Sequence, residues 1–143
     1  MTTIQMRRGT AAAWVSANPT LNSGEYGLET DTRRIKIGDG ATAYTALAYI
    51  TRAAVSKTAN YTLAIYDRGV FVDASGGAVT ITLPTAASAT DVEYFVKKID
   101  SSANAVTIDG NGAETIDDAT TQVLSSQYDA ITLYSDGTEW WVV

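Results

Sequence analysis

The side chains that could do chemistry in this 143-residue sequence are carboxylates, lysines, tyrosines and hydroxyls, because it contains no His and no Cys. The absence of His removes the usual general base and the commonest metal ligand. The absence of Cys removes disulfides, zinc–thiolate sites and thiol nucleophiles. The composition argues against most enzyme classes, and we expect no catalytic residue, no metal and no cofactor.

Five carboxylate or amide side chains fall within ten residues, at Asp109, Asn111, Glu114, Asp117 and Asp118. Oxygen-rich loops of this kind can bind Ca²⁺. The spacing does not fit the EF-hand loop, and no acidic residue closes the pattern at the required distance. We therefore interpret the segment as a solvated loop rich in turn formers.

A pair of carboxylates is the minimum requirement for glycoside hydrolysis. The sequence has sixteen Asp and Glu residues, so some pair is inevitable and carries little information. Enzymes of this class also need a long groove, for which a chain of this length has little room. Carbohydrate cleavage therefore ranks last among the functions that the sequence allows.

Aromatic side chains near the end of the sequence form another candidate group. Trp140 and Trp141 are adjacent, so their side chains point to opposite faces of a strand. One indole can lie in a core, whereas the other must face solvent, a ligand or another chain. Tyr134 is expected to share a face with Trp141. Such a patch can stack on sugar rings of a receptor or anchor an interface, and we favour the interface because Trp and Tyr dominate binding hot spots.

Charge is distributed unevenly along the chain, whose formal net charge is −6. Residues 1–52 hold six Lys and Arg against four Asp and Glu, a net of +2, whereas residues 53–143 hold four against twelve, a net of −8. The sequence therefore predicts two domains with this boundary. Its acidity argues against a nucleic-acid partner, and no stretch has the length and apolarity for membrane insertion.

The first domain is predicted to contain one short helix and one hairpin. Thr10 can cap a helix over residues 11–15, which Asn18-Pro19 ends because the residue before Pro avoids helical backbone angles. Asp31-Thr32 is expected to close the hairpin. The pairs expected across it are Tyr26 with Ile37, Leu28 with Ile35 and, on the other face, Glu29 with Arg34. Gly38-Asp39-Gly40 is interpreted as a tight turn rather than an anion nest or a metal ligand.

The second domain alternates short apolar strands with turn signals, after a polar connection over residues 51–58. Hairpins are expected across Gly76-Gly77, across residues 100–104 and across Asp136-Gly137. In the last hairpin, Leu133 should pair with Trp140 and Ile131 with Val142. The predicted fold class is mainly β: a small N-terminal module with a short helix and a hairpin, followed by an antiparallel β-sandwich or β-prism domain.

Motifs of the first domain occur in an order and at a spacing that resemble a known module. They are Ile4-Gln5-Met6-Arg7-Arg8-Gly9-Thr10, Trp14, Asn18-Pro19-Thr20-Leu21, Gly24-Glu25-Tyr26-Gly27, Glu29-Thr30-Asp31-Thr32 and Lys36-Ile37-Gly38-Asp39-Gly40, with Leu47. The pattern resembles the N-terminal module of phage tropism determinants and tail fibres, which also occurs in phage virion proteins described as hyaluronidase-like. Tyr44 stands where Trp is often found in this module, and Ala48 stands where Pro is common.

The second domain is similar to a sequence type of phage structural proteins, often at their distal end. The motifs that carry this similarity are Val79-Thr80-Ile81-Thr82-Leu83-Pro84, Lys97-Lys98-Ile99-Asp100-Ser101-Ser102-Ala103-Asn104, Val106-Thr107-Ile108-Asp109, Glu114-Thr115-Ile116-Asp117 and Ser135-Asp136-Gly137-Thr138-Glu139-Trp140. Together the two resemblances imply a virion component that works as a homotrimer, with strands of three chains around a threefold axis.

These resemblances imply that the protein is part of a virion, but they leave open whether it lies on the tail or on the capsid. We expect a non-enzymatic structural protein, made in the bacterial host cytoplasm, that forms a short tail-fibre or baseplate-type appendage for attachment or host recognition. At about 3.3 Å per strand residue the chain is too short for a long shaft. A capsid decoration protein or head fibre is therefore the alternative, and a carbohydrate-depolymerising enzyme is the second alternative.

The partners to expect are further copies of the chain, other tail, baseplate or capsid proteins and, for an adhesion role, a host-surface glycan. The net positive charge of residues 1–52 suggests docking on an acidic virion partner. The candidate contacts are Arg7, Arg8, Arg33 and Arg34. The alternative is that these arginines are solvated or pair within the trimer, as a pair between Glu29 and Arg34 would indicate.

Overall fold

The chain divides between Arg52 and Ala53 into an N-terminal unit, Met1–Arg52, and a distal unit, Ala53–Val143. The structure is a computed structural model that describes residues 6–50 and 52–143. Ile4 and Gln5 of the N-terminal motif and Thr51 of the expected connection lie outside the described residues. No helix in the described part is long and apolar enough to cross a membrane. The predicted mainly-β class with one short α-helix is confirmed.

The helix of the N-terminal unit, α1 (Ala11–Ala17), begins after Thr10 and ends at Asn18, as predicted. The Thr10 hydroxyl accepts a hydrogen bond from the Ala13 N–H at 3.2 Å, and the Asp31 carboxylate accepts one from the Ala11 N–H at 2.9 Å. These caps satisfy N–H groups that the first turn leaves unpaired. Asn18 then turns the chain out of the helix in the left-handed region, at φ 37°.

The sheet of the N-terminal unit consists of β1 (Arg7–Gly9), β2 (Tyr26–Glu29) and β3 (Ile35–Ile37), in that order across the sheet. β1 is parallel to β2, and β2 is antiparallel to β3. The register of the hairpin is the predicted one, with Tyr26 opposite Ile37 and Leu28 opposite Ile35. A short 3₁₀ turn at Tyr44–Ala46 packs beside α1.

The distal unit contains nine strands within the described residues. They are β4 (Ala53–Lys57), β5 (Tyr61–Thr62), β6 (Asp67–Val72), β7 (Val79–Thr82), β8 (Glu93–Lys98), β9 (Val106–Asp109), β10 (Thr121–Leu124), β11 (Ala130–Ser135) and β12 (Trp140–Val142). They form a four-stranded sheet in the order β10-β9-β7-β5 and a five-stranded sheet in the order β12-β11-β8-β6-β4. Buried side chains of both sheets, such as Val70, Ile81 and Trp140, share one core.

β4 corrects the expectation of a polar connection over residues 51–58, because most of that segment is an edge strand. Its small and polar side chains resemble a connection in composition, yet they also suit a strand at the edge of a sheet. Val55 is its inward residue, half-buried against the core and paired with Val70 on β6.

The order of the strands overturns part of the predicted topology. From β4 to β9 consecutive strands alternate between the two sheets, so β4, β6 and β8 are parallel neighbours, as are β5, β7 and β9. The hairpins expected across Gly76-Gly77 and across residues 100–104 are wrong, since each of these turns crosses to the other sheet. The expected antiparallel sandwich or prism is also wrong in strand direction. In the observed unit the chain winds between two facing sheets of parallel strands, to which β10, β11 and β12 add antiparallel strands.

The physical reason for the error is that a hairpin and a crossing satisfy the same alternation of side chains. A strand that crosses to the opposite sheet still points every second residue into the core between the sheets. The two crossing turns also stack on each other. The Asp100 carboxylate accepts a hydrogen bond from the Ala74 N–H at 2.7 Å, and the Asn104 side-chain amide donates to the Ala74 carbonyl at 2.8 Å.

The hairpin of β11 and β12 is confirmed, but its register differs from the prediction by two residues. The observed pairs are Leu133 with Val142, Tyr134 with Trp141 and Ser135 with Trp140. The loop therefore has four residues, 136–139, rather than two. The Asp136 carboxylate accepts hydrogen bonds from the N–H groups of Thr138 and Glu139, at 2.8 and 2.9 Å, and these bonds stabilise the longer turn.

Candidate functional site

The sheet of the N-terminal unit presents apolar side chains outward. Paired residues share a face of a sheet, so Tyr26 and Ile37 lie on the same face as Leu28 and Ile35. Tyr26 is 45% exposed and Ile37 is 37% exposed, while Leu28 and Ile35 are half-buried. We call these four side chains the apolar face. They do not belong to the buried core cluster of their own unit.

The core of the N-terminal unit comes from α1 and the loops instead of from the strands. Trp14 stacks on Tyr44 with ring centroids 4.4 Å apart, and Leu21 completes the buried cluster. The rings lie against β2 at Gly27, where an added Cβ would be 2.9 Å from Tyr44 and 3.0 Å from Leu21. Because the rings occupy this space, the sheet packs on them through a glycine.

Buried ionisable groups lie on the inward side of this sheet. The Glu29 carboxylate accepts hydrogen bonds from the hydroxyls of Tyr49 at 2.7 Å, Tyr44 at 3.2 Å and Thr32 at 2.5 Å. The Lys36 ammonium donates to the Tyr44 carbonyl at 2.8 Å and lies 4.4 Å from the ring centroid of Tyr49. Burial alone would raise the pKa of Glu29, but the three hydroxyls and the Lys36 charge outweigh it, and that pKa lies below its usual value. Burial lowers the pKa of Lys36, although the charge of Glu29 opposes this effect.

Arg7 and Arg8, two of the predicted docking residues, lie on opposite faces of β1. Arg7 forms an ion pair with Glu25 at 3.4 Å, and its guanidinium lies 5.2 Å from the ring centroid of Trp14. Arg8 is exposed, and its pairing with Leu28 places it at the margin of the apolar face. The structure therefore brings Arg8 to the outward face and holds Arg7 against its own unit.

Arg33 and Arg34, the other two predicted docking residues, follow the hairpin loop. Arg33 is exposed in the left-handed region at φ 57°. Arg34 is half-buried, and its guanidinium lies 3.5 Å from the ring centroid of Tyr49. The backbone pairing of Arg34 with Glu29 is observed, with a hydrogen bond of 2.9 Å, but the Glu29 carboxylate is bonded by hydroxyls. Arg8 and Arg33 are thus exposed, whereas Arg7 and Arg34 contact side chains of their own unit.

Gly38-Asp39-Gly40 forms the expected tight turn. The Asp39 carboxylate accepts hydrogen bonds from the N–H groups of Ala41 and Thr42, at 2.9 and 2.7 Å, and from the Thr42 hydroxyl at 2.5 Å. These bonds lower the pKa of Asp39 to about 2. Gly40 has φ 82°, which favours glycine. The carboxylate is therefore committed to the turn.

Tyr134 and Trp141 lie side by side on the outward face of the five-stranded sheet, so their expected shared face is confirmed. Trp140 is buried, whereas Trp141 is 40% exposed. The Trp141 indole N–H donates to the Asp136 carboxylate at 2.9 Å, and the Tyr134 hydroxyl donates to the Asp91 carboxylate at 2.7 Å. The polar edges of both rings are thus held by the protein itself.

Two half-buried phenylalanines, which no sequence motif points to, continue this row. Phe95 on β8 is two residues from Glu93, the partner of Tyr134, and Phe71 on β6 is two residues from Gly69, the partner of Phe95. The two phenyl centroids are 5.2 Å apart. Period-two alternation can place each ring outward, but only the order of the strands places them in one row. We call Trp141, Tyr134, Phe95 and Phe71 the aromatic band.

A groove of about 500 Å³ lies at the Phe71 end of the aromatic band. Residues 56–61, Asp73 and Ile99 complete its lining. The Lys57 ammonium lies 3.7 Å from the ring centroid of Tyr61. Burial of Tyr61 and its hydrogen bond to Asp67 at 2.8 Å raise the pKa of its hydroxyl to about 12, so the phenol stays neutral.

The acidic segment at residues 109–118 is fastened to the sheets by its own polar side chains. The hydrogen bonds are from the Ala86 N–H to the Glu114 carboxylate at 2.9 Å, from the Val142 N–H to the Asp117 carboxylate at 3.1 Å and from the Asn111 amide to the Leu83 carbonyl at 3.2 Å. Among residues 6–50 and 52–143, no group of three or more Asp and Glu could hold a metal ion. The hydrogen bonds of Asn111, Glu114 and Asp117 thus tie this segment to neighbouring parts of the distal unit.

An ion pair between Lys98 and Asp100 lies inside the distal unit. Lys98 is fully buried, and its ammonium lies 2.6 Å from the Asp100 carboxylate. The Ser102 hydroxyl donates to the same carboxylate at 2.5 Å. The bonds from Lys98 and Ser102 hold the pKa of Asp100 well below its usual range. This pair fixes the stacked crossing turns, since Asp100 also binds the backbone at Ala74.

Comparison with known families bears on the N-terminal unit. Residues 4–42 match the family model described as the major tropism determinant N-terminal domain. This segment includes α1, the three strands of the first sheet, the apolar face and the four arginines. No curated protein matches the sequence. The resemblance inferred from the motifs of the first domain is thus confirmed. The N-terminal unit contains a domain of the phage tropism-determinant type, which implies a phage virion component.

Proposed function

We propose that the protein is a non-enzymatic structural part of a bacteriophage virion, a short trimeric appendage of the tail-fibre or baseplate type that serves attachment or host recognition. The observation that carries the proposal is the apolar face within the matched tropism-determinant segment. Contiguous apolar surface on a soluble domain marks a contact with another molecule. The carboxylates described above act in turns and loops, which suits a structural role.

Further copies of the same chain are the cover that we propose for the apolar face. Identical chains carry identical faces, so a symmetric assembly buries all of them at once. Tyr26 and Leu28 on β2 and Ile35 and Ile37 on β3 form one two-strand surface. Sheets pack face to face at about 10 Å through such side chains. Around a threefold axis, three sheets bury their apolar faces together.

Light scattering on the purified protein tests this assembly. The native chain should have the mass of a trimer. Ile37→Lys places a charge in the apolar face, and the variant should be monomeric or markedly weaker in assembly. Val15→Lys is the matched control, because Val15 is 59% exposed on α1 and lies outside that face. A monomeric native protein, or a trimeric Ile37→Lys variant, contradicts the proposal.

Docking on the rest of the particle is assigned to the arginines of the positive N-terminal unit, with an acidic surface of another virion protein as partner. Reversal of Arg7 and Arg8 to Glu should abolish incorporation into virions while the isolated protein stays folded. Arg68→Glu serves as the control, because Arg68 is an exposed cation of the distal unit. Normal incorporation of the Arg7 and Arg8 variant would contradict this assignment.

The place on the particle is tested by electron microscopy of labelled virions, together with virions that lack the protein. Loss of host adsorption with intact particles supports an attachment appendage. Loss of particle stability with unchanged adsorption contradicts it and supports the capsid decoration protein or head fibre.

A further inference from the structure

We infer that the aromatic band binds a neutral oligosaccharide. This inference rests on the attachment function proposed above, for which it names the class of receptor. The band supplies one aromatic ring from each of four neighbouring strands, β12, β11, β8 and β6. Neighbouring strands lie about 4.8 Å apart, so the row extends roughly 14 Å across the sheet. A row of this length suits several linked sugar rings.

The chemistry of the band favours stacking on a ligand that brings its own hydrogen-bond donors. The Trp141 N–H and the Tyr134 hydroxyl are already bonded to Asp136 and Asp91. What the band offers to a ligand is therefore the faces of its rings, with carboxylates beside them. Aromatic faces pack against apolar ligand surfaces, and an ionised carboxylate accepts several hydrogen bonds. A sugar combines an apolar C–H face with donor hydroxyls at its edge.

Charge complementarity selects a neutral sugar over an acidic one. The distal unit has a net charge of −8, and Asp91, Glu93 and Asp136 are exposed beside the band. An anionic polysaccharide would be repelled by this field. Lys97 lies on the same face, but its ammonium donates to the Tyr128 carbonyl at 3.2 Å.

The band is continuous with the groove of about 500 Å³, because Phe71 belongs to both. A chain of sugar rings that begins over Trp141 can therefore end in a concave site. Lys57, Asn60 and Asp73 line that site and supply hydrogen-bond donors and acceptors. Ligand sites of this sort combine aromatic walls with a few placed polar groups.

A second copy of the chain is a poorer occupant for this surface than for the apolar face. The outward residues between the rings include Glu93, Lys97 and Thr132, each within the strands of the band. Charged residues are depleted at the centre of protein–protein interfaces. A hydrated ligand such as a sugar tolerates them.

The test uses the tryptophans of the intact chain. Trp14 is 5% exposed and Trp140 is fully buried, so acrylamide quenching of the fluorescence reports mainly on Trp141 at 40% exposure. Neutral hexamers of glucose, mannose and N-acetylglucosamine are added in turn, with hexagalacturonate as the anionic comparison. At least one neutral hexamer should protect Trp141 from the quencher, whereas hexagalacturonate should not.

Variants show whether protection comes from the band. Phe95→Ala removes a ring but keeps the reporter, and it should weaken binding about tenfold or more. Phe95→Leu, which keeps most of the volume, should also weaken binding and remains informative if the alanine variant unfolds. Tyr66→Ala is the control, since Tyr66 is 51% exposed and lies outside the band. Binding by Tyr66→Ala should equal that of the native chain.

The inference is overturned if none of the three neutral hexamers protects Trp141, or if Phe95→Leu binds as well as Tyr66→Ala. Protection that rises with protein concentration in the absence of sugar would also overturn it, since copies of the chain would then cover the band. If host adsorption needs the protein but no sugar protects Trp141, the neutral oligosaccharide is refuted as receptor and the attachment function stands. Protection by sugar, together with adsorption that does not need the protein, refutes only the attachment function.

Discussion

The sheet of the N-terminal unit and the five-stranded sheet of the distal unit differ in which face they bury. In the first sheet Leu28 and its apolar neighbours face outward, and Glu29 and Lys36 face inward. In the second sheet aliphatic residues such as Leu133 face inward, and the aromatic band faces outward. In the strands of both sheets, successive side chains point to opposite faces in the ordinary way. Alternation therefore defines the two faces of a sheet, while the neighbouring elements decide which face joins the core.

Each unit nevertheless keeps charge inside, and in each the charge holds loops in place. In the N-terminal unit Glu29 collects hydroxyls from three loop residues. In the distal unit Lys98 and Asp100 bind the stacked crossing turns. Buried charges of this kind are tolerated because hydroxyl groups bond Glu29, whereas Lys98 and Asp100 form an ion pair. The two outward faces differ in composition: the apolar face combines Tyr26 with three aliphatic side chains, whereas the aromatic band is interleaved with polar groups.

The largest expected effect is a difference in the loss of stability between one leucine substitution in each sheet. Leu133→Ala should lower the free energy of unfolding of the distal unit by about 2–5 kcal/mol, because it opens a cavity in the core. Leu28→Ala should cost the isolated chain much less and should act mainly by weakening assembly. Urea unfolding at several protein concentrations measures both. Equal costs that do not depend on protein concentration would contradict the outward position of Leu28.

A smaller effect tests the packing of rings under the first sheet. Gly27→Ala should destabilise the N-terminal unit by about 1–3 kcal/mol, because the added Cβ overlaps Tyr44 and Leu21. Gly76→Ala is the matched control, since nothing lies within 4 Å of its added Cβ. The indole N–H signals of Trp14 and Trp140 in nuclear magnetic resonance report the two units separately. A Gly27→Ala protein as stable as Gly76→Ala would show that the rings can move aside.

Glu29→Gln tests the buried hydrogen bonds on the inward face of the first sheet. The amide cannot accept from three hydroxyls as well as the carboxylate does, and Lys36 loses a nearby opposite charge. The loss of stability should be about 1 kcal/mol and confined to the N-terminal unit. Glu25→Gln, which removes an exposed ion pair with Arg7, should cost less than about 1 kcal/mol. A larger cost for Glu25→Gln would contradict the assignment of Glu29 to the interior network.

The smallest expected effect is the dependence of stability on acid. The pKa values of Glu29 and Asp100 in the folded chain lie below their usual values of 4.5 and 3.8, so the unfolded chain binds protons first. Their stabilisation is complete above those values and is lost as the pH falls through the lowered pKa values. Glu29→Gln should flatten this loss for the Trp14 signal and leave it for the Trp140 signal. Asp100→Asn should do the reverse, and identical profiles would contradict both assignments.

The sequence predicts local features well where one short segment contains the whole cause. Thr10 caps α1, Asn18 ends it, and the hairpin of β2 and β3 has the predicted register. It fails where a strand has a choice of partner. Gly76-Gly77 favours a tight hairpin by its turn chemistry, yet the chain there crosses to the other sheet. The carboxylate of Asp136 likewise lengthens the last turn beyond what its neighbour Gly137 predicts.

The candidate surfaces divide in the same way. Alternation alone places Tyr134 and Trp141 on one face of their hairpin, but only the observed register brings them directly opposite each other. Phe71 and Phe95 are 24 residues apart in the chain, and they meet because β6 and β8 are parallel neighbours. The outward position of Leu28 depends on Trp14 and Tyr44, which fill the space under β2.

The amino-acid sequence alone excludes His and Cys chemistry and shows the opposite net charges of the two parts. It also predicts the helix and hairpin of the first unit and the resemblance of that unit to tropism-determinant domains. The folded chain is needed to see which face of each sheet is buried, which strands are neighbours and which aromatic rings form one surface. The reason is physical: capping, turn chemistry and alternation act over a few residues, whereas burial and strand order depend on contacts between residues far apart in the chain.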